Sequence, residues 1–192
     1  MSAFLGPIHY WLYNKILFQE KLTESLLEQY QDVYKSLEDI CGTIETKPLE
    51  DVIDTSNIHG WLQGQILIAE KRYANAVHNL MEKKSLTLEN LQEQAWFFGR
   101  KHPLKGVSAP ELYKELQDLL LDGMPCDHVN LLIEQEEKRV QWKRTADLHS
   151  SHWNEIGSNG KIYYLLRDSL LKGMLSSTCY EYTENDDICE IK

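Results

Sequence analysis

The sequence predicts an all-α fold, an antiparallel up-and-down bundle of about six helices with an internal duplication. Apolar residues recur at steps of three and four along stretches that lack glycine and proline, and capping residues precede these stretches. Two sequence patterns also recur at an offset of about 50 residues, a period typical of helical-hairpin repeats. We expect one helical domain over 1–178 and a C-terminal tail over 179–192, which alternates as a small β-hairpin does.

The first helical segment begins at Pro7, because proline suits the first turn of a helix, and no glycine or proline follows until Gly42. The apolar stripe over 22–40 fits either one long helix or two helices with a kink near 21–23. Residues 42–54 are predicted to form a loop.

Five further helices are predicted after this loop. Each begins near a residue that favours a helix start, such as Thr87 or Ser108, and Gly123 ends the fourth helix of the chain. The predicted spans run from the caps at 55–57 to about 84, then over 87–101, 110–123, 127–148 and 159–175.

Composition limits the function classes. The 192 residues include 42% hydrophobic and 26% charged side chains, which is typical of a soluble globular protein. The net charge of −10 repels phosphate backbones, and no apolar run approaches the roughly 18–20 residues of a membrane span. The first residues lack the features of a signal peptide, and the four cysteines lack metal-site spacing. We therefore expect a cytoplasmic protein that binds neither nucleic acid nor membrane.

The pattern His-x-Trp-Leu-x-x-x-Ile-Leu-x-x-Glu occurs at 9–20 and again at 59–70. A second pair, 113–124 and 163–174, shares Tyr, Leu, Asp, Leu, Leu, Gly and Met at the same offset. In a helix, the first and last residues of the His-to-Glu pattern lie within about 20° of one face but roughly 16 Å apart along the axis. The histidine and the glutamate of one helix therefore cannot share a metal ion.

The direction of the two repeated helices decides what their polar ends do. Antiparallel packing pairs His9 with Glu70 and His59 with Glu20, which makes two structural His–Glu contacts. Parallel packing brings the two histidines together at one end and favours a ligand site. Both arrangements stay open, because the loop over 42–54 is long enough to return the chain.

Histidines at helix starts suggest a metal site. The helix dipole disfavours imidazolium in the first turn, and neutral imidazole is the form that binds metal. A cysteine at a helix start tends toward the thiolate, which is also a metal ligand. We predict that a divalent metal (Zn, Fe, Mn or Ni) binds ligands drawn from His9, His59, His128, His149 and His152, with Cys126, Asp127, Glu20 and Glu70 as further candidates for the site.

Three segments resemble the DinB/YfiT-like superfamily of metal-binding helical bundles. They are 57–62, with its His-Gly-Trp-Leu, the pair His149 and His152, and the Gly-Lys-Ile-Tyr-Tyr-Leu-Leu-Arg run at 160–167. The resemblance implies a bundle fold and a divalent metal held by three histidines, and some members are thiol transferases. It carries over only His59, His149 and His152, and the late pair departs from the family by lying three rather than four residues apart.

The sequence leaves three hypotheses about function. The first is a small metal-binding bundle protein of unidentified activity. The second is a non-catalytic structural or interaction protein whose His–Glu pairs are only structural. The third is a pocket for an anion or a small molecule at helix N-termini. A homodimer is open as well, and no catalytic residue is identified, since the chain contains no GxSxG, HExxH or phosphate-binding glycine loop.

Overall fold

The structure is a computed structural model that describes residues 4–192. This part of the chain forms eight helices, four strands and a 3₁₀ turn. The helices are α1 (Pro7–Leu26), α2 (Gln31–Cys41), α3 (Leu49–Val52), α4 (Ile58–Lys84), α5 (Leu88–Lys101), α6 (Ala109–Leu119), α7 (Ser150–Asn154) and α8 (Lys161–Leu175). The 3₁₀ turn is Pro125–Asp127, and the strands are β1 (Asn130–Glu136), β2 (Arg139–Arg144), β3 (Tyr182–Asn185) and β4 (Ile188–Ile191).

The fold is mostly helical but not all-α, because a four-stranded antiparallel sheet stands beside the helices in the order β1-β2-β4-β3. The predicted helix over 127–148 is wrong: this segment is the β1–β2 hairpin. Val140 and Trp142 are buried on one face of β2, so the period there is two, and burial of these side chains outweighs the helix propensity of the neighbouring Glu, Gln and Lys. The predicted C-terminal hairpin is confirmed as β3 and β4, and β4 pairs with β2.

The first predicted segment contains two helices, and they meet at 27–30 rather than near 21–23. Leu26 and Leu27 are both buried, although neighbouring helical positions point about 100° apart. The turn after them lets Val33 and Leu37 of α2 face the same core. The break therefore follows from where these apolar side chains are buried rather than from a glycine or proline.

The repeated helices α1 and α4 run parallel. Their contacts follow the same order along both helices: the rings of His9 and His59 lie 5.9 Å apart, and those of Tyr13 and Trp61 lie 6.0 Å apart. Further along, Glu20 binds Arg72. The crossover over 27–57, which contains α2 and α3, returns the chain to the start of the pair.

Helices α5 and α8 also run parallel, and both oppose α1. The Gln92 side chain donates to the Leu165 carbonyl, and later in both helices Gly99 lies against Leu170. Phe18 of α1 contacts Phe98 and His102 at the end of α5. Leu26, at the end of α1, shares a pocket with Gln94, which lies earlier in α5, so α1 and α5 run in opposite directions. The four long helices thus form an up-up-down-down bundle with two long crossovers, not the simple up-and-down order that we expected from the sequence.

Two glycines allow α5 and α8 to cross in backbone contact. A Cβ on Gly99 would lie 2.1 Å from the Leu170 carbonyl oxygen, and one on Gly173 would lie 2.1 Å from the Trp96 carbonyl oxygen. No side chain fits at either position without separating the helices.

The apolar core has two parts, and a group of charged side chains lies where they meet. The smaller part, around Ile16 and Leu121, joins the first halves of α1 and α4. The larger part, around Tyr163 and Leu166, joins the other helices to the sheet, including Tyr182, Cys189 and Ile191 near the C-terminus. The buried charges described next come from segments that border both parts.

Candidate functional site

Asp122 is the centre of a buried polar cluster. It lies just after α6, its side chain is 7% exposed, and Arg167 of α8 binds both of its carboxylate oxygens, at 2.5 and 3.0 Å. The Asn130 amide donates to the same carboxylate at 2.8 Å, and the His149 Nε2 lies 3.5 Å away. Burial opposes ionisation, but the Arg167 guanidinium and the His149 imidazole outweigh it and hold the pKa of Asp122 well below its usual range.

His149 lies between two carboxylates. Its Nδ1 is 3.0 Å from the Glu70 Oε1, its Nε2 faces Asp122, and its ring stacks on Tyr163 with the ring centres 3.8 Å apart. Burial alone would lower the pKa of this imidazole, but Glu70 and Asp122 together raise it to about 9. The side chain is therefore an imidazolium at neutral pH, and both of its N–H groups donate to carboxylates.

Lys15 of α1 differs from these groups, because it is buried without a counter-ion in contact. It is 4% exposed, and its Nζ lies 3.7 Å from the centre of the Trp11 ring. Within residues 4–192 the ammonium makes no hydrogen bond or ion pair. Burial lowers the pKa of Lys15 to about 8; Asp122 and Asp118 raise it, while Arg167 lowers it further.

A cavity of about 170 Å³ opens beside Lys15. Its polar lining includes Trp11, Lys15, Gln117, Asp122, His128 and Asn130, and its apolar lining comprises Met124, Pro125 and Val129. The Gln117 Oε1 accepts from Asn130 at 3.1 Å, whereas its buried Nε2 has no acceptor. The cavity wall therefore offers one accessible donor without an acceptor, the Lys15 ammonium, while the Gln117 Nε2 lacks an acceptor but is enclosed.

The charges around this cavity do not cancel. Lys15, His149 and Arg167 are cationic at neutral pH, whereas Glu70 and Asp122 are the carboxylates of the cluster. Among these buried groups one positive charge is in excess; the exposed Asp118, which also acts on Lys15, balances it only from the solvent side. The nearby Glu20–Arg72 pair adds no net charge. An anion in the cavity would neutralise this excess.

The repeated glutamates find partners that the sequence did not suggest. Glu20 accepts from the Nε and Nη2 of Arg72, at 3.0 and 2.6 Å, and Glu70 pairs with His149. The predicted pairs with His9 and His59 do not form, because α1 and α4 are parallel and place both histidines at the opposite end. The expectation that each glutamate has a buried partner is nonetheless met.

The histidines proposed as metal ligands lie in different environments. His9 is buried, and its Nδ1 accepts the Gly6 N–H at 2.9 Å, so in the neutral ring the proton lies on Nε2. His59 beside it is exposed. Both nitrogens of His149 face carboxylates, which leaves no lone pair for a metal. The His152 Nδ1 is buried and without a partner.

The residues around 126–128 do not begin a helix. The 3₁₀ turn ends there, His128 has a left-handed backbone (φ 48°), and strand β1 follows. Cys126, Asp127 and His128 are exposed, and the Asp127 Oδ2 accepts the Met124 N–H at 2.8 Å. The predicted effects of a helix dipole on Cys126 and His128 are therefore wrong, since the dipole is absent.

The predicted ligands come together only in pairs, His9 with His59 and His149 with Glu70. Across 4–192 no group of three or more His, Cys, Asp or Glu side chains is arranged to hold a metal ion. The donor sets thus do not fit a divalent metal, and metal binding stays a prediction that the geometry does not support.

Sequence reasoning missed Lys15, Gln117, Asp122, Asn130 and Arg167. A signal existed for two of them. Trp11 and Lys15 are four residues apart, a spacing that places an ammonium over a ring on one helix face. Arg167 interrupts the apolar face that Tyr163, Leu166 and Leu170 form in α8, so a buried anion had to lie opposite.

Comparison of the chain with protein-family models, with curated proteins and with solved structures found no match. The resemblance to DinB/YfiT-like proteins therefore stays a prediction. Among the described helices, none combines the length and apolar character that crossing a membrane requires.

Proposed function

We propose that this protein binds a small carboxylate in the cavity beside Lys15. One observation carries the proposal: a lysine side chain that is 4% exposed lines an open cavity, and its ammonium has no counter-ion in contact. Burying an unpaired charge opposes folding, so such a group is expected mainly where a ligand supplies the missing partner.

The size and the charge of the site favour a small monoanion. A volume of about 170 Å³ corresponds to roughly five or six water molecules, at about 30 Å³ each. One excess positive charge is matched by one carboxylate, whereas a phosphate dianion would leave the buried cluster negative. A rotation of the Gln117 side chain would present its unpartnered amide as a second donor for the carboxylate. Met124, Pro125 and Val129 provide an apolar wall for a short carbon chain.

A binding panel tests this proposal. Acetate, propanoate and butanoate are titrated into the protein by isothermal calorimetry, with inorganic phosphate and uncharged propanamide as comparisons. We expect at least one carboxylate to bind and propanamide not to bind. Lys15→Met should abolish binding, whereas Lys21→Met, an exposed lysine on the same helix, should leave it unchanged. If none of the three carboxylates binds, or if they bind Lys15→Met equally well, the proposal is wrong.

Binding should also depend on pH through Lys15. Its pKa of about 8 reflects burial, the carboxylates Asp122 and Asp118, and the Arg167 guanidinium. A carboxylate binds the ammonium but not the neutral amine, so affinity should fall as pH rises above about 8. Lys15→Arg should show no such change, because its guanidinium stays charged over this pH range.

A further inference from the structure

We infer that Lys15 is a nucleophile that forms an imine with a small 2-oxo acid bound in this cavity. The inference rests on the proposed function and deepens it, because it names the class of carboxylate and gives the lysine a covalent role. A 2-oxo acid carries the carboxylate that the site attracts and, on the next carbon, a carbonyl group that an amine can attack.

The neighbouring carboxylates leave the Lys15 nitrogen free to react. Asp122 is the carboxylate of the cluster that borders the cavity, and its oxygens accept from Arg167, Asn130 and His149. Asp118, the other carboxylate that raises the pKa of Lys15, accepts from the Trp11 indole N–H at 2.7 Å. The amine is therefore held against the Trp11 ring but is not locked in an ion pair.

Burial supplies a useful fraction of the neutral amine. With a pKa of about 8, roughly one Lys15 side chain in ten is unprotonated at pH 7. An ordinary lysine, with its pKa near 10.4, has well under one in a thousand in that form. Removing an ammonium from water is a recognised way to activate a lysine for attack on carbonyl groups.

The cavity also provides a place for the carboxylate while the amine reacts. Gln117 lines the cavity and its enclosed Nε2 has no acceptor, so a rotation of this side chain would present a donor to the carboxylate. Arg167 and His149 contact Asp122, which borders the cavity, and their charges make the electrostatic potential there more positive. A three-carbon 2-oxo acid has about six heavy atoms, which suits a volume of about 170 Å³.

The reaction balances without any oxidant. The Lys15 lone pair attacks the carbonyl carbon and the carbonyl oxygen takes up a proton, while the nitrogen loses one, which gives a carbinolamine. This adduct then expels the oxygen as water, so that a C=N bond replaces the C=O bond. Hydrolysis reverses both steps, and the lysine is regenerated.

Reductive trapping tests the inference. Pyruvate and sodium cyanoborohydride are added to the full-length protein at pH 7, and peptide mapping by mass spectrometry locates the reduced adduct. Mapping also separates Lys15 from the N-terminal amine, whose ordinary pKa is low as well. We expect Lys15 to be labelled at least about tenfold faster than the exposed Lys21, and propanoate, which is pyruvate without its carbonyl, to slow this labelling.

Two variants separate the inference from the proposed function. Lys15→Arg keeps the positive charge but has no nucleophilic amine, so it should still bind propanoate and should lose trapping at this position. Lys21→Met should keep both properties. If propanoate binds the wild type but pyruvate labels Lys15 no faster than Lys21, the inference is wrong and the proposed function stands. If neither propanoate nor pyruvate binds, both are wrong.

Discussion

The two helices that share the His-x-Trp-Leu-x-x-x-Ile-Leu-x-x-Glu pattern use equivalent positions differently. In α4 the fourth residue after the Trp is Gln65, whose Oε1 accepts the Glu45 N–H at 3.1 Å. In α1 the same position is Lys15, which has no such partner. The two glutamates, in contrast, both have buried cationic partners, Arg72 for Glu20 and His149 for Glu70.

This contrast distinguishes structural charges from functional ones. A buried charge that is fully paired is explained by the fold, because its partner offsets much of the cost of desolvation. A buried charge without a partner has no such explanation and opposes folding. By this criterion Glu20, Arg72, Glu70 and His149 have partners within the fold, although the buried Glu70 Oε2 has none, whereas Lys15 is the charge for which we propose a ligand.

The largest effect is expected where a paired charge loses its partner. Arg72→Met leaves the 3%-exposed Glu20 without a cation and should lower the free energy of unfolding by about 3–5 kcal/mol in urea denaturation. The carboxyl of the variant should then take up a proton. Lys84→Met, on the same helix but in an exposed pair with Asp32, is the matched control and should change stability by less than about 1 kcal/mol.

Substitution of Lys15 is expected to raise the free energy of unfolding rather than to lower it. Its pKa falls from 10.5 to about 8 on folding, and at about 1.36 kcal/mol per unit this costs roughly 3 kcal/mol at pH 7. Lys15→Met should therefore stabilise the ligand-free protein by about 2–3 kcal/mol while removing ligand binding. Lys15→Gln, which copies the α4 residue, should stabilise it less, because its amide lacks the partner that Gln65 has. A destabilised Lys15→Met protein would show that the lysine is structural.

The sequence predicted that the two repeated glutamates need buried partners, but it did not identify Lys15. A polar group on an apolar helix stripe needs a partner, and this rule correctly identified Glu20 and Glu70. The choice between antiparallel and parallel packing stayed open, because it depends on the route of the crossover over 27–57, which local patterns do not encode. The parallel arrangement forms, so His9 lies beside His59 and pairs with neither glutamate. Asp122, Asn130 and Arg167 meet only in the tertiary fold, and the strand that carries Asn130 was predicted as helix. The long helices, by contrast, were predictable from periodicity and caps alone.

The two glutamate pairs should also differ in their response to pH. The pKa of His149 is raised by folding from 6.5 to about 9, so its stabilisation is complete below about pH 6.5 and is lost as pH rises toward 9. Lys15 affects stability at higher pH. Burial of its ammonium lowers the free energy of unfolding below about pH 8, and this loss disappears between pH 8 and 10.5. Between pH 6.5 and 8, stability should therefore fall by about 1–2 kcal/mol, at a limiting slope of roughly 1.36 kcal/mol per unit.

Urea denaturation of the wild type and of Lys15→Met across pH 6–10 separates the two groups. Both proteins should lose stability from pH 6.5 to 8. From about pH 8 to 9 the wild type should level off, because the His149 loss and the Lys15 gain cancel, and above about 9 it should recover part of the loss, whereas Lys15→Met should keep losing stability to about pH 9 and should not recover. An NMR titration of the His149 ring should give an apparent pKa near 9. A flat stability profile between pH 6.5 and 8, or a His149 pKa near 6.5, would contradict the assignment of imidazolium between Glu70 and Asp122.

The smallest effect concerns the histidines that begin the repeated pattern. His9 is 7% exposed and its Nδ1 accepts the Gly6 N–H, so His9→Ala should cost about 1 kcal/mol through the lost cap and the lost contacts. His59 is exposed, and its contact with the buried His9 ring leaves 5.9 Å between the ring centres. His59→Ala should therefore change stability by less than about 0.5 kcal/mol. If both variants lost stability by equal and large amounts, or if the loss of stability depended on added Zn²⁺, the two histidines would act together. A ligand site at the parallel helix starts requires such joint action.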